Sequence, residues 1–375
     1  MRILHLITKL GLGGAEAQLV ELAVAMRKQG HEVRVVTLIP GGENAKRLRD
    51  AKIQLDDLGM HRGVPTLCAI FRLAQLLREW RPDVLQSWLY HADLLATIVT
   101  PFAKSTALVW NVRCSVLDPC DHSRFLFMII RQLARWSKYP VAVVTNSSSG
   151  REFHDQIGYR PRRWHVIPNA IDTEKYRPSD SARDEVRAEL GLRKDTLLIA
   201  LVARFHPMKD HRSFLTAVKP IMDEYPDVHV ALVGPGIELG NPELARLIVD
   251  ADFQDRLHLL GSRIDMPRLQ AAWDIAVSAS YSEGFSNTIA EAMACGVPCV
   301  STEAGDAALL LGNTGRLVPL RDSEAMGIAV RELLGLSIKE RRALGVAARR
   351  RIEMEFGLSR VVEHYLQIYR DCCPC

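Results

Sequence analysis

Short apolar runs alternate with longer amphipathic stretches along this chain, and that alternation restricts its fold more than any other feature. Runs rich in Val, Ile and Leu predict strands over Arg2–Thr8, Glu32–Leu38, Val84–Ser87, Ala107–Val112 and Val141–Asn146. Helical periodicity fills the gaps over Ala15–Gln29, Thr66–Trp80, Ala92–Thr100 and Ser123–Lys138. The second half repeats the pattern with strands at Leu197–Arg204, Val228–Val233, Leu257–Leu260, Ile275–Ala279 and Pro298–Ser301. Successive runs lie roughly 20–30 residues apart, enough for the crossover that parallel strands need. The expected fold class is α/β, with two doubly wound, Rossmann-like domains facing each other across a cleft. A chain of 375 residues suits two domains of roughly 100–200 residues each. The charged stretch Asp172–Asp195 holds no β-type run. The expected division is therefore 1–172, a hinge or linker over 173–195, 196–357, and 358–375. In the last segment an apolar stripe of Val361, Val362, Tyr365 and Ile368 predicts a helix packing back towards the first domain.

At 48% hydrophobic and 25% charged residues, the composition excludes disorder, collagen and coiled coil as the dominant state. The longest stretch free of Asp, Glu, Lys and Arg is Tyr139–Gly150, well short of the roughly 18–20 apolar residues of a spanning helix. The N-terminus reads as a first strand rather than a signal peptide, so a cytoplasmic chain is expected. Eight cysteines are scattered through unrelated segments, and Cys372-Cys-Pro-Cys375 has no second Cys/His pair at zinc spacing. Reduced thiols are the expectation. The net charge of +4 conceals an asymmetry: residues 1–190 hold 27 basic and 20 acidic residues (+7), the remainder 21 and 24 (−3).

Three clusters carry chemistry. Lys9-Leu-Gly-Leu-Gly-Gly-Ala-Glu16 follows the first strand and opens a helix, a place where backbone amides suit an anion. It departs from a dinucleotide fingerprint, since Glu16 stands where Gly or Ala is required and the second strand ends without an acid. In the second half, Ala203-Arg-Phe-His-Pro-Met-Lys-Asp210 sets Arg204 and Lys209 in one loop after a strand, a pairing of fork and point charge that suits a diphosphate. A solvated pair of charges would look the same. The third cluster runs from Ser278 to Pro298 as strand, glycine loop, helix and Gly-Val-Pro. Glu283 lies in its loop and Glu291 eight residues on, while the amides of Gly284, Phe285, Ser286, Asn287 and Thr288 open the helix. Eight helical residues span about 12 Å, too far for the ~5–5.5 Å of a retaining glycosidase pair, so two jobs on one elongated ligand fit better.

Gly-Gly-Ala-Glu after the first strand, Arg204 with Lys209, and Glu283 with Glu291 in an E-x7-E arrangement resemble the family 4 glycosyltransferases of GT-B fold. Leu310–Pro319 is similar to part of their C-terminal domain. The resemblance implies an acceptor-facing first domain and a second domain binding a nucleotide-diphosphate-sugar donor, UDP- or GDP-linked. It implies that Gly13 and Gly14 approach the donor phosphates, Arg204 and Lys209 neutralise the diphosphate, Glu283 contacts the donor sugar and Glu291 binds the ribose. The loop Gly261-Ser-Arg263 is similar to the family's loop beside the nucleobase, which implies a place there for Arg263. Many relatives carry a His after the strand matching Ala107–Val112, where this chain has Arg113 and Cys114. His91, after the preceding strand, is the other acceptor-side and catalytic candidate, although a His at a helix start also serves as a plain structural cap.

Breaking the anomeric C–O bond needs fixed positive charge beside the departing diphosphate. At an effective dielectric of 20, two unit charges 4 Å apart are worth about 4 kcal/mol, and Arg204 with Lys209 could supply that without a metal or other cofactor. No Asp-x-Asp motif stands out for a metal. Retention of anomeric configuration follows from the resemblance alone. From His122 to Arg151 the chain holds five basic residues and no acidic one; Arg124, Arg131, Arg135 and Lys138 fall within about 60° on a helical wheel. Leu126, Ile129, Ile130, Leu133 and Trp136 take the other side. This helix reads either as a sheet-packing element with a solvated basic face or as a contact to anionic lipid, which would suit a glycan or lipid-linked acceptor at the inner face of the cell membrane in cell-surface polysaccharide or glycolipid assembly. Nucleic acid is not expected, since no recognition motif is present. A nucleotide-sugar 2-epimerase and a non-catalytic sugar-nucleotide or glycan-binding protein remain the alternatives. The first would change donor alone, and the second would release no nucleotide diphosphate.

Overall fold

A computed structural model describes every residue except 12, 62–65, 104, 118–122, 250–252 and 374–375, and all but the side chain of residue 254. The chain divides into two compact units, Met1–Ala170 with Leu358–Cys375, and Ile171–Gly357. In the first, strands and helices alternate as Arg2–Ile7 (β1), Gly14–Lys28 (α1), Glu32–Thr37 (β2), Ala45–Asp50 (α2), Gln54–Asp57 (β3), Leu67–Trp80 (α3), Val84–Trp88 (β4), Tyr90–Val99 (α4), Ala107–Val112 (β5), Arg124–Trp136 (α5), Ala142–Thr145 (β6), Ser148–Gln156 (α6) and Trp164–Val166 (β7). The second holds Asp180–Glu189 (α7), Leu197–Val202 (β8), His211–Glu224 (α8), Val228–Val233 (β9), Pro242–Val249 (α9), Leu257–Leu259 (β10), Met266–Gln270 (α10), Ile275–Ser278 (β11), Asn287–Ala294 (α11), Cys299–Thr302 (β12), Ala307–Leu311 (α12), Arg316–Val318 (β13), Ser323–Gly335 (α13) and Ile338–Arg351 (α14). Leu358–Cys372 (α15) closes the chain as part of the first unit.

All strand pairs are parallel, in the orders β3-β2-β1-β4-β5-β6-β7 and β10-β9-β8-β11-β12-β13. Each sheet is covered on both faces by its own apolar clusters, as an all-parallel sheet requires. The winding direction reverses between β1 and β4 and again between β8 and β11. Such switch points splay the neighbouring loops apart and leave a crevice at the strand carboxyl ends.

The structure adds β3, β7 and β13 to the strands expected from sequence. All three sit outside the apolar centre of a sheet, and Gln-Leu-Asp-Asp, Trp-His-Val and Arg-Leu-Val are too short or too polar to announce themselves. The stretch 173–195, expected as a hinge, folds into the second unit through α7. Arg187, fully buried, donates to Asp274 at 2.6 Å and to the Ala272 carbonyl at 2.9 Å, and Arg183 pairs with the other Asp274 oxygen at 2.8 Å. Those charged residues read as a solvated linker because their partner lies nearly ninety positions away. The helix α15 buries Val361, Val362, Leu366 and Ile368 against the first unit. Its Tyr365 hydroxyl accepts from Asn111 at 3.1 Å, and its Tyr369 hydroxyl donates to Gln86.

Three histidines are buried and neutral: desolvation lowers His5 to about 3 and His154 and His211 to about 4. Unfolded, each would titrate near 6.5, so the unfolded chain binds more protons as pH falls through that value. The thermal midpoint should hold from pH 8 to 7 and fall below pH 6.5, by up to about 1.4 kcal/mol of stability per pH unit for each group. Replacing His154 by Gln should make that fall shallower; a melting profile flat from pH 7 to 5 would contradict this account.

Candidate active site

The switch point of the second unit gathers the loops after β8 and β11. Glycine at 234 (φ 145°) lets the β8 loop fold closely, since a Cβ there would lie 2.2 Å from the Ala203 carbonyl oxygen. Phe205 N–H then donates to Pro235 O at 2.8 Å. A tight turn over Pro207–Lys209 follows, and Asp210 caps α8 by accepting from Ser213 N–H. That turn carries Lys209 to Glu283, where ammonium and carboxylate form an ion pair. Ser280 Oγ donates to the same Glu283 oxygen at 2.8 Å, and Tyr281 N–H donates to Met208 O at 3.0 Å, joining the two loops. About one fifth of each charged side chain remains accessible, 21% for Lys209 and 17% for Glu283. Arg204 is exposed on the same loop, and among the described residues it has no ion-pair partner. The pair stores charge of both signs facing one pocket, which Thr288 also lines.

Three supports of this site carried no sequence signal. Gly305 (φ 58°) presses against the loop so closely that a Cβ would meet Glu283 O at 2.1 Å, and Asp306 N–H donates to Gly284 O at 3.1 Å. Thr302 Oγ1 donates to the Ser280 carbonyl. Further along, Gln270 is fully buried and donates to Thr288 O at 3.1 Å and to Glu291 Oε2 at 3.4 Å. Ser286 stands at the N-cap of α11, so the amides of Asn287 and Thr288 open that helix.

The side chains of two residues named for the donor are engaged within the second unit. Phe285 is buried and packs on Phe356, ring centroids 5.6 Å apart, so its side chain belongs to the core and only its backbone can face a ligand. Arg263 is held by Asp265 at 2.8 Å and by Glu189 at 2.7 Å, a network that also takes in Arg268 and keeps the Asp265 carboxyl well below its usual range. Its guanidinium ties the loop after β10 to α7 rather than pointing a free charge at a base.

In the first unit, loops after β1 and β4 flank the other switch point. Gly13 and Gly14 begin α1, and the carboxylate of Glu16 folds back so far that a Cβ on Gly13 would lie 2.3 Å from its Oε2. The turn is braced from the connection between β2 and α2, where Gly42 (φ 121°) abuts the Leu10 carbonyl and Asn44 Nδ2 donates to Gly11 O at 2.5 Å. His91 lies in the first turn of α4, reached through Leu89 at φ 70°, ψ 156°, a region that residues other than glycine rarely adopt. Leu89 N–H donates to Asn111 O at 3.1 Å and Ser87 Oγ donates to buried Asp93 at 2.6 Å, holding the strained elbow. Burial raises the Asp93 carboxyl well above the usual carboxylate range and lowers His91, which is therefore neutral at pH 7. His91 lines a cavity of about 340 Å³ with Thr8, Ile39, Met60, His61 and Phe125. Arg113 does not join it. Its three nitrogens donate to Asn111 at 2.7 Å, to Asn169, and to Tyr365 at 2.9 Å, and the group stacks on Trp88 at 4.6 Å. This is a clamp between β5, the end of the first unit's main segment and α15, and it engages all three nitrogens of the guanidinium from which an acceptor contact was expected.

Two parallel α/β units, each with polar loops at its switch point, define a two-domain ligand-binding architecture. Residues 12–175 match the Glycosyltransferase Family 4 model, and residues 196–335 match the Glycosyl transferases group 1 model. The chain belongs to the family 4 glycosyltransferases of GT-B type and is a glycosyltransferase. It is similar to the UDP-Gal:alpha-D-GlcNAc-diphosphoundecaprenol alpha-1,3-galactosyltransferase of Escherichia coli, 26% identical over 72% of this chain and 74% of that protein. It is also similar to the D-inositol 3-phosphate glycosyltransferase of Mycobacteroides abscessus, 34% identical over 46% of this chain but only 40% of that protein. Among solved structures, HepE of Anabaena in complex with UDP and glucose superposes with a TM-score of 0.84 at 23% identity, over 99% of this chain and 100% of that one.

The close packing at Gly305 gives a direct test of the Glu283 loop. Gly305→Ala should lower donor turnover at least tenfold, because the new methyl must push Glu283 away. Gly312→Ala, at a similar φ of 54° but against the flexible Arg351 side chain, should cost stability of about 1–3 kcal/mol while sparing turnover. Steady-state kinetics with melting curves separates the two, and equal turnover in both variants would refute the assignment.

Proposed function

We propose that this enzyme moves a sugar from a nucleoside-diphosphate sugar, UDP-linked in the first instance, to a lipid-linked glycan acceptor during cell-surface polysaccharide assembly. The observation that carries the donor half is the Lys209–Glu283 pair at the β8/β11 switch point, beside exposed Arg204. An arriving diphosphate gives Lys209 a second anion to neutralise, and Arg204 offers a planar fork to the same phosphates. Charge then builds on the leaving oxygen as the anomeric bond stretches, which fixed cations favour over the ground state. Glu283, held by Ser280 and the Gly305 contact, faces the sugar. The helix end at Ser286–Thr288 offers amides to the phosphates, and Glu291 accepts from the ribose diol. The same cations make a divalent metal unnecessary, and the sugar keeps its configuration by attack from the face the diphosphate leaves.

The UDP choice is supported by the UDP-bound neighbour and by the galactosyltransferase relative, whose name also specifies a diphosphoundecaprenol-linked acceptor. On the acceptor side, neutral His91 can take a hydrogen bond or proton from an attacking hydroxyl in its cavity. A membrane surface fits the face built by α3, α4 and α5. Arg124, Arg131, Arg135 and Lys138 are all exposed there, and so are Leu67, Phe71, Met128 and Trp136. Trp136, expected on the sheet side of α5, is 39% exposed, which mixes an aromatic ring into the cationic face. Among the described residues no helix is long and apolar enough to cross a membrane.

Lys209→Ala and Arg204→Ala should each reduce nucleoside diphosphate release at least tenfold with unchanged melting, and wild-type activity should persist in EDTA. Wild-type turnover in either variant would remove the diphosphate assignment, and loss of activity on chelation would remove the metal-free one. In flotation assays the protein should follow vesicles containing anionic lipid, and the Arg131→Glu/Arg135→Glu variant should not. Equal binding to neutral and anionic vesicles would exclude the electrostatic contact.

A further inference from the structure

One fully buried polar side chain in the second unit has a task that packing does not explain. Gln270 ends α10 with no exposed surface, amid Leu269, Ala272 and other apolar neighbours. Trp273 Nε1–H donates to its Oε1 at 3.1 Å. An indole N–H can only donate, so the amide oxygen must face Trp273. The amide nitrogen is thereby turned the other way, and its two hydrogens reach the Thr288 carbonyl at 3.1 Å and Glu291 Oε2 at 3.4 Å. We infer that Gln270 is a positioning residue which, oriented by Trp273, holds the Glu291 carboxylate in the direction that accepts a ribose diol. Thr288 opens the same helix and Glu291 lies one turn on, so one amide sets both the helix start and the carboxylate. Without it, the buried Trp273 N–H, the Thr288 carbonyl and Glu291 Oε2 each lose a hydrogen bond at once, and the carboxylate loses the contact that sets its direction from this side.

The inference rests on Glu291 being the ribose contact, and the test keeps the two apart. Isothermal titration with UDP and 2′-deoxy-UDP, and in parallel with GDP and 2′-deoxy-GDP, reads the preference for the ribose hydroxyl directly. The wild type should prefer the ribonucleotide at least tenfold. Gln270→Leu should cut that preference to threefold or less and leave 2′-deoxynucleotide affinity within twofold of wild type. A packing role alone would weaken both ligands alike. Trp273→Phe, which removes the N–H that orients the amide, should also reduce the preference, and it decides the matter if Gln270→Leu does not fold. Wild-type preference retained in the variants overturns the role of Gln270. Absence of preference in the wild type overturns the Glu291 reading and this inference with it.

Discussion

Parallel strand pairing governs this molecule. A parallel neighbour cannot be reached through a tight turn, so each strand is followed by a crossover. Every such crossover within the two sheets contains a helix. All carboxyl ends of one sheet therefore emerge on the same edge, and at the point where the winding reverses, two loops separate instead of crossing. In the second unit those are the loops after β8 and β11, which hold Lys209 and Glu283. In the first they are the loops after β1 and β4, of which one holds Gly13 and the other leads into His91 in the first turn of α4.

The chemistry of the second unit depends on how rigidly these loops are held. A half-buried Lys–Glu pair contributes little to folding once desolvation is counted, so its value lies in where it leaves the two charges. The structure holds it with backbone contacts more than with side chains: Gly234 against Ala203, Gly305 against Glu283, Tyr281 N–H on Met208 O. Close backbone approach of this kind leaves no room for a Cβ, and it exchanges side-chain adaptability for fixed position, as the leaving-group role proposed for this site would demand. The first unit solves a similar problem with strain, because Leu89 adopts an unfavourable backbone to aim the start of α4, and Ser87, Asp93 and Asn111 hold it there.

Central strands and their helices were legible from hydrophobic periodicity, since burial on both faces demands long apolar runs. Three of the four edge strands were not, because β3 and β13 include charged residues and β7 is three residues long, whereas the edge strand β10 keeps its apolar Leu257 and Leu259. The helix α7 was missed for a different reason: its arginines are satisfied by Asp274, which belongs to another element. Among the motif residues, Arg204, Lys209 and Glu283 stand out in sequence because they lie in short loops or turns beside strands, and Glu291 because of its fixed spacing from Glu283 inside α11. Gly305, Gln270 and Thr302 could not, for their roles consist in touching those residues from distant segments.

Local sequence alone determined the α/β alternation, the domain count and the chemical character of the loops, because periodicity and side-chain chemistry are properties of a short stretch of chain. Tertiary structure alone decided which charges remain available. Arg113 and Arg263 looked like ligand contacts, yet Asn111, Asn169 and Tyr365 claim the first and Asp265 with Glu189 the second. Arg204 kept its guanidinium exposed. The physical reason is pairing: an arginine's availability depends on acceptors brought to it by folding, and those acceptors lie anywhere along the chain.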